Sequence, residues 1–281
     1  MNHCDYETKR IIEKLLEEGC MDINPRPKYA DGTPAHTLSY NHEMVTYDLS
    51  KGEFPLCTLR PTAIKSGIAE ILWIYKDESN DLSKLAEYGV TWWNPWDIGN
   101  GTIGACYGET VRRHNLMKNL LEGLVKDPDG RRHIMSLWQE DDFNDPHGLK
   151  PCAFLTQWNV RHAKDGDYLD MCLTQRSSDF LTAGVINQAQ YATLLLMVAR
   201  HTGYKPGKFT WMVNNIQCYD RHIEQAKEMF LREPIECQPF IEINPEKTSL
   251  YDMTLEDFKI VGYPLEEIKK ENPQLKFDIG I

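Results

Sequence analysis

Residues 147–160, HGLKPCAFLTQWNV, put one thiol, Cys152, directly after a proline and just ahead of a run with strand-like alternation. Pro151 lacks an N–H and fixes its own φ, so the thiol sits where the backbone is rigid and a strand begins. The chain has eight cysteines, and packing is the commoner fate of any one of them; only its surroundings argue for a nucleophile. Those surroundings are rich in arginine. QRSSD at 175–179 places Arg176 at the end of the next strand, and GRRHIMSLW at 130–138 presents Arg131 and Arg132 together. A planar guanidinium fork matches phosphate oxygens, and its charge favours thiolate over thiol, lowering a cysteine pKa from its free value of about 8.5. Arg131 and Arg132 taken alone fit a solvated turn after KDPDG better than a phosphate clamp. Glu70 lies inside the apolar run IAEILWIY. It is either solvated on a polar helix edge or lines a cleft, where desolvation raises its pKa toward the range useful for acid/base work. WWNPW at 92–96 is either a core patch or an aromatic wall for a flat heterocycle.

The elements that must position these groups read as one α+β unit over 1–281, a mixed β-sheet packed under helices in two layers. YETKRIIEKLLEE at 6–18 spaces Ile11, Ile12, Leu15 and Leu16 for a helix that Gly19 stops, and 62–76 repeats the helical period. The segment 187–203 is apolar nearly all round, the pattern of a buried central helix. FLTQWNVRH (154–162) and YLDMCLTQ (168–175) alternate as strands about the Asp-Gly of AKDGD, a hairpin signal. A further strand is expected over 208–219 and a helix over 222–233, ended by Pro234.

Bulk properties narrow the function classes. The 281 residues are 41% apolar and 26% charged, and no apolar run approaches the roughly eighteen residues of a membrane span. Charges within the first twenty residues interrupt any signal-peptide core, so a cytoplasmic location and no membrane partner are expected. A net charge of −11 argues against a nucleic-acid partner and leaves small anions held by local arginines. The cysteines show no CxxC pair and no Cys/His spacing suited to zinc, so no metal is expected.

In order and spacing, DGTPAHTLS (31–39), EILW (70–73), WWNPW, GTIGACYG (101–108), RRHIMSLW, PC (151–152), QRSSD, INQAQYA (186–192), CYDRHIEQ (218–225) and REP (232–234) together resemble the thymidylate synthase family. The DGTPAHTLS wording is most similar to the branch found in some Bacillus and their phages. The resemblance implies a homodimer that methylates dUMP to dTMP with 5,10-methylenetetrahydrofolate as carbon and hydride donor. It makes Cys152 the nucleophile that adds to uracil C6, Glu70 an acid/base carboxylate acting through water, and Tyr107 the hydroxyl near the C5 proton. It implies that Arg26, Gln175, Arg176 and Ser177 hold the nucleotide, with Arg131 and Arg132 reaching in from the neighbouring subunit. Asn187 would read the base, and Gln217 and Tyr219 the sugar. Trp93, Trp96, Asp179 and the C-terminal Ile281 would lie on the folate side, Asp179 also being counted with the substrate contacts. An amide at 187 can accept from uracil N3–H while donating to O4, the opposite of what cytosine presents.

The chain departs from the family pattern at the sugar and folate positions. Gln217 stands where a histidine is usual, within NNIQCY (214–219); AGVIN (183–187) lacks a proline beside Asn187; Ala153 replaces a common histidine and Arg60 a lysine. Two alternatives therefore stay open: a hydroxymethylase acting on dUMP rather than dCMP, and a non-catalytic nucleotide-binding homologue.

Overall fold

A computed structural model of the chain describes residues 1–144 and 149–280. The strands are β1 (Cys20–Met21), β2 (Thr37–Asp48), β3 (Ile134–Ser136), β4 (Ala153–Ala163), β5 (Gly166–Asp179), β6 (Lys205–Tyr219), β7 (Phe240–Ile243) and β8 (Phe258–Val261). The helices are α1 (His3–Glu18), α2 (Ile64–Ile71), α3 (Leu82–Glu87), α4 (Gly108–Arg113), α5 (Leu116–Lys126), α6 (Val185–Thr202), α7 (Ile223–Leu231) and α8 (Leu265–Glu271). Six strands form one sheet in the order β1-β2-β6-β5-β4-β3, and β7 and β8 pair separately. Within the large sheet β5 and β6 run parallel while the other neighbours are antiparallel, so the sheet is mixed, as expected. The parallel pair needs a long crossover, and α6 supplies it.

Asn2 caps α1 by accepting the Asp5 N–H at 2.8 Å, and Cys4, Ile11, Ile12 and Leu15 face the core. The β4–β5 hairpin turns at 164–165, with Ala163 opposite Gly166, whose φ of +134° suits a residue without Cβ. The helix expected over 62–76 is α-helical only to Ile71; Leu72–Lys76 widens into a π-helical turn. The strand expected from 208 begins at Lys205, and α7 ends at Leu231, before Pro234 can act. Phe180–Thr202 is long and apolar enough to cross a bilayer, contrary to the expectation that no stretch is, but 78% of its apolar window is buried beneath the sheet and its neighbours. Its buried neighbours, not its composition, decide its place.

The helices cover one face of the sheet, burying Val45, Tyr47, Trp158, Leu173, Phe209 and Trp211. On the other face, cross-strand partners form rows. Met44 faces Met212, which pairs with Thr174 and on to Leu155; Thr46 faces Thr210, which leads to Cys172, Gln157 and Ile134. Met44, Met212 and Ile134 are exposed, and neither row contains a charge.

The turn before α4 is tightly built. Tyr107 has a φ of +48°, and a Cβ added to Gly108 would lie 2.1 Å from the Ser79 carbonyl oxygen. Gly108→Ala should therefore destabilise by about 3 kcal/mol. Gly89→Ala, at a φ of +76° but with nothing within 4 Å, should cost only about 1 kcal/mol. Thermal unfolding of the two variants tests this; equal losses would contradict it.

Candidate active site

Cys152 lies immediately before β4, and the β4–β5 register shifts between Ala153 and Leu155, a bulge beside the thiol. Bulges re-aim side chains, and this one leaves Cys152 facing the end of β5 rather than the sheet core. The Arg176 backbone N–H donates to the Cys152 carbonyl at 2.9 Å. The Arg176 side chain then folds back: Nε donates to the Pro151 carbonyl at 3.0 Å and Nη2 to the Lys150 carbonyl at 2.9 Å, with Nη2 3.4 Å from Cys152 Sγ. Three consecutive residues thus share one guanidinium.

The pKa balance differs from the sequence expectation. Burial pushes the Cys152 thiol up, and the Arg176 charge offsets only part of that rise. The guanidinium does favour thiolate, as expected, but the thiol as it stands lies above rather than below its ordinary value, because desolvation is the larger effect.

Glu70, at the end of α2, is buried rather than solvated on a polar edge. It is 8% exposed, and the indole N–H groups of Trp92 and Trp93 both donate to its Oε2, at 2.5 and 2.7 Å. Burial raises its pKa, opposed by the hydrogen bonds from Trp93, Trp92 and Gln190. The tryptophan-rich turn is accordingly a clamp for a carboxyl. Trp93 packs edge-on against both Trp96 and Tyr107, at ring distances of 5.6 and 5.3 Å. Tyr107 Oη accepts the Cys152 backbone N–H at 3.1 Å, so Glu70, Trp93, Tyr107 and Cys152 form a continuous chain of contacts. Burial holds the Tyr107 phenol well above its usual pKa.

Asn187 opens the second turn of the π-to-α helical stretch that starts at Phe180, and Gln175 Nε2 donates to its Oδ1 at 3.2 Å. Gln175 is 1% exposed and its Oε1 accepts the Trp211 indole N–H, so it faces protein rather than the cleft. Gln217 pairs across β6 and β5 with Asp179, and Ser177 with Asn215. Burial pushes Tyr219 up to about 12; the charges of Asp179 and Cys152 add to this and that of Arg26 opposes it. Tyr219 Oη donates to the Gly280 carbonyl at 3.2 Å, and Asp278 O lies 2.7 Å from His222 Nε2, so the tail covers this end. Ile281 itself lies outside the described residues.

Among the described residues several buried polar atoms lack a partner: Asp179 Oδ1, His222 Nδ1, Arg60 Nε and Ser178 Oγ. The charges of His222 and Arg60 both act on Asp179, whose pKa burial raises. These atoms suit the N–H and carbonyl edge of a polar heterocycle, which is how the donor set tests against a folate. Arg60 is otherwise held by the Leu181 carbonyl, 2.6 Å from Nη2. Arg131 and Arg132 are exposed before β3, and among the described residues their side chains make no hydrogen bond or ion pair; this chain alone does not bring them to Cys152. Trp92 and Gln190 were not singled out by sequence reasoning, although both lie inside the motifs WWNPW and INQAQYA.

The sequence model of a family described as thymidylate synthase matches residues 6–274. The chain is 48% identical to a thymidylate synthase of Lactococcus lactis subsp. cremoris and 47% identical to one of Streptococcus pneumoniae, each over 100% of both chains. It superposes on the structure titled thermostable thymidylate synthase A from Bacillus subtilis with a TM-score of 0.89 and 34% identity, covering 99% of each chain.

If the Arg176 charge is what restrains the Cys152 pKa, Arg176→Gln should move the midpoint of Cys152 alkylation to higher pH. The sign follows from removing a cation that stabilises thiolate. Iodoacetamide labelling across pH, read at the Cys152 peptide by mass spectrometry, checks it; an unmoved or lowered midpoint contradicts it.

Proposed function

The chain belongs to the thymidylate synthase family, and from that premise we propose that Cys152, Glu70, Tyr107, Arg176 and Asn187 are the side chains with which it methylates dUMP to dTMP. The single observation that carries the reading is the convergence of the thiol, a guanidinium and a tyrosine hydroxyl at the start of β4: Sγ 3.4 Å from Arg176 Nη2, and the Cys152 N–H on Tyr107 Oη.

Arg26, Arg176 and Ser177 hold the 5′ phosphate, joined by Arg131 and Arg132 of the partner subunit. The uncharged, partly exposed rows on the open sheet face, led by Met44, Met212 and Ile134, support a second copy of the chain as that partner. An approaching phosphate draws Arg176 away from the Pro151 and Lys150 carbonyls. Cys152 thiolate adds to uracil C6: an S–C bond forms, the C5–C6 π pair moves toward C4, and negative charge develops on O4. The Asn187 N–H donates to O4 and stabilises that charge. Glu70, buried and inclined to keep its proton, passes it to O4 through water as the charge appears. Tyr107 Oη lies where the C5 proton is removed, and Gln217 and Tyr219 contact the ribose.

5,10-Methylenetetrahydrofolate, when bound, supplies the one-carbon unit and the hydride. Trp96 and the buried unpartnered atom of Asp179 would hold it, and residues 276–281 would close over it and exclude water. Trp93 belongs to both sides, since its ring packs against Trp96 and Tyr107 and its N–H orients Glu70. Hydroxymethyl transfer, the alternative weighed from the sequence, is not favoured: the relatives are thymidylate synthases along their whole length.

Incubation with dUMP and methylenetetrahydrofolate should yield dihydrofolate and dTMP in equal amounts, read by absorbance and by nucleotide mass. Cys152→Ser should abolish turnover, at least about 10³-fold, while dUMP binding persists. Turnover retained by the serine variant would contradict the assignment.

A further inference from the structure

An asparagine does not by itself select uracil. Turned over by 180°, its carboxamide presents N–H where it presented oxygen, and that form complements cytosine, which accepts at N3 and donates at N4. Residue type leaves the base undecided; orientation decides it.

Asn187 sits in a run of four hydrogen bonds that fixes this orientation. The Trp211 indole N–H donates to Gln175 Oε1, and Gln175 Nε2 donates to Asn187 Oδ1 at 3.2 Å. Asn187 Nδ2 donates to Gln190 Oε1 at 2.8 Å, and Gln190 Nε2 donates to the Gly67 carbonyl at 3.3 Å. Neither end can reverse. An indole nitrogen has a hydrogen and no acceptor lone pair, and a backbone carbonyl has lone pairs and no hydrogen. The three amides between them must therefore point the same way. Turning Asn187 alone would set nitrogen against nitrogen at Gln175 and oxygen against oxygen at Gln190. Trp211, Gln175 and Gln190 are each no more than 1% exposed, so bulk water cannot repair either mismatch.

We propose that Gln190 is a specificity-determining positioning residue. Anchored on the Gly67 carbonyl, it holds Asn187 with one Oδ1 lone pair and one Nδ2 proton left for N3–H and O4 of uracil, and it disfavours the turned form that would take cytosine. The inference rests on Asn187 being the base contact, as proposed above. One further observation ties Gln190 to the site: a Cβ on Gly67 would stand 3.1 Å from Gln190 Cγ, so the glycine admits this close approach.

Gln190→Met keeps the length and apolar volume of the side chain and removes both polar ends. Dissociation constants of dUMP and dCMP, measured by calorimetry on the full chain without folate, isolate the base, because sugar and phosphate are common to both ligands. The wild type should prefer dUMP, and Gln190→Met should reduce that preference at least about tenfold, the effect of one buried amide contact. Gln175→Glu provides a second reading. Its carboxylate accepts from Trp211 and also demands an N–H from Asn187, so it should move the ratio further toward dCMP. A wild-type preference that survives in Gln190→Met overturns the role of Gln190, whatever Gln175→Glu does. A wild type with no preference between the two nucleotides overturns the base contact itself, and this inference with it.

Discussion

The site depends on one contact, between Arg176 and the sulfur it helps to ionise. At 3.4 Å, a guanidinium and a thiolate attract by on the order of 5 kcal/mol at an effective dielectric of about 20. Burial acts in the opposite direction and prevails, so the thiol stays protonated more readily than a free one. That balance suits a nucleophile that must not react before substrate arrives. A phosphate drawn to Arg176 and a pyrimidine that displaces water change both terms together, so nucleotide binding and thiol activation involve the same residues. The geometry is affordable only because Arg176 is pinned through the carbonyls of Lys150 and Pro151, which makes the rigid corner before β4 part of the chemistry.

The same economy recurs around Glu70. A carboxyl at 8% exposure would be costly unpaired, yet the nearest partners are indole N–H groups rather than cations. Neutral donors satisfy the oxygen without imposing a full opposing charge, and burial keeps the proton-holding form accessible. Trp93 then carries the arrangement across to Tyr107, and Tyr107, at a positive φ, presents its hydroxyl to the Cys152 backbone. The strained tyrosine backbone is held in place by Gly108, which admits Ser79 at a distance no side chain would allow.

Much of this was legible in the sequence, and the reasons differ by element. The β4–β5 hairpin followed from period-two alternation about an Asp-Gly, and α6 from an apolar pattern that only a buried helix tolerates. Cys152 with Arg176 followed from their places at the ends of adjacent strands. The π-helical turn at Leu72–Lys76 was not legible, because an α-helical and a π-helical turn carry the same local pattern and tertiary packing chooses between them. Nor was the net direction of the Cys152 shift, which depends on burial that no spacing rule reports. Trp92 and Gln190 were hidden for another reason: their function lies in hydrogen bonds to residues 22 and 3 positions away, and residue type alone does not reveal such partners. Arg131 and Arg132 show the limit from the other side, since one chain leaves them in solvent.

The central claim is that the sulfur of Cys152 becomes bonded to the pyrimidine ring. A 5-fluoro analogue of dUMP tests it most directly, since fluorine at C5 cannot leave as a proton does and the adduct is trapped after carbon transfer. With that analogue and methylenetetrahydrofolate at saturation, peptide mapping by mass spectrometry should find nucleotide and folate mass on the Cys152 peptide and on none of the other seven cysteines. An unmodified Cys152, or a label carried by another residue, would contradict the account.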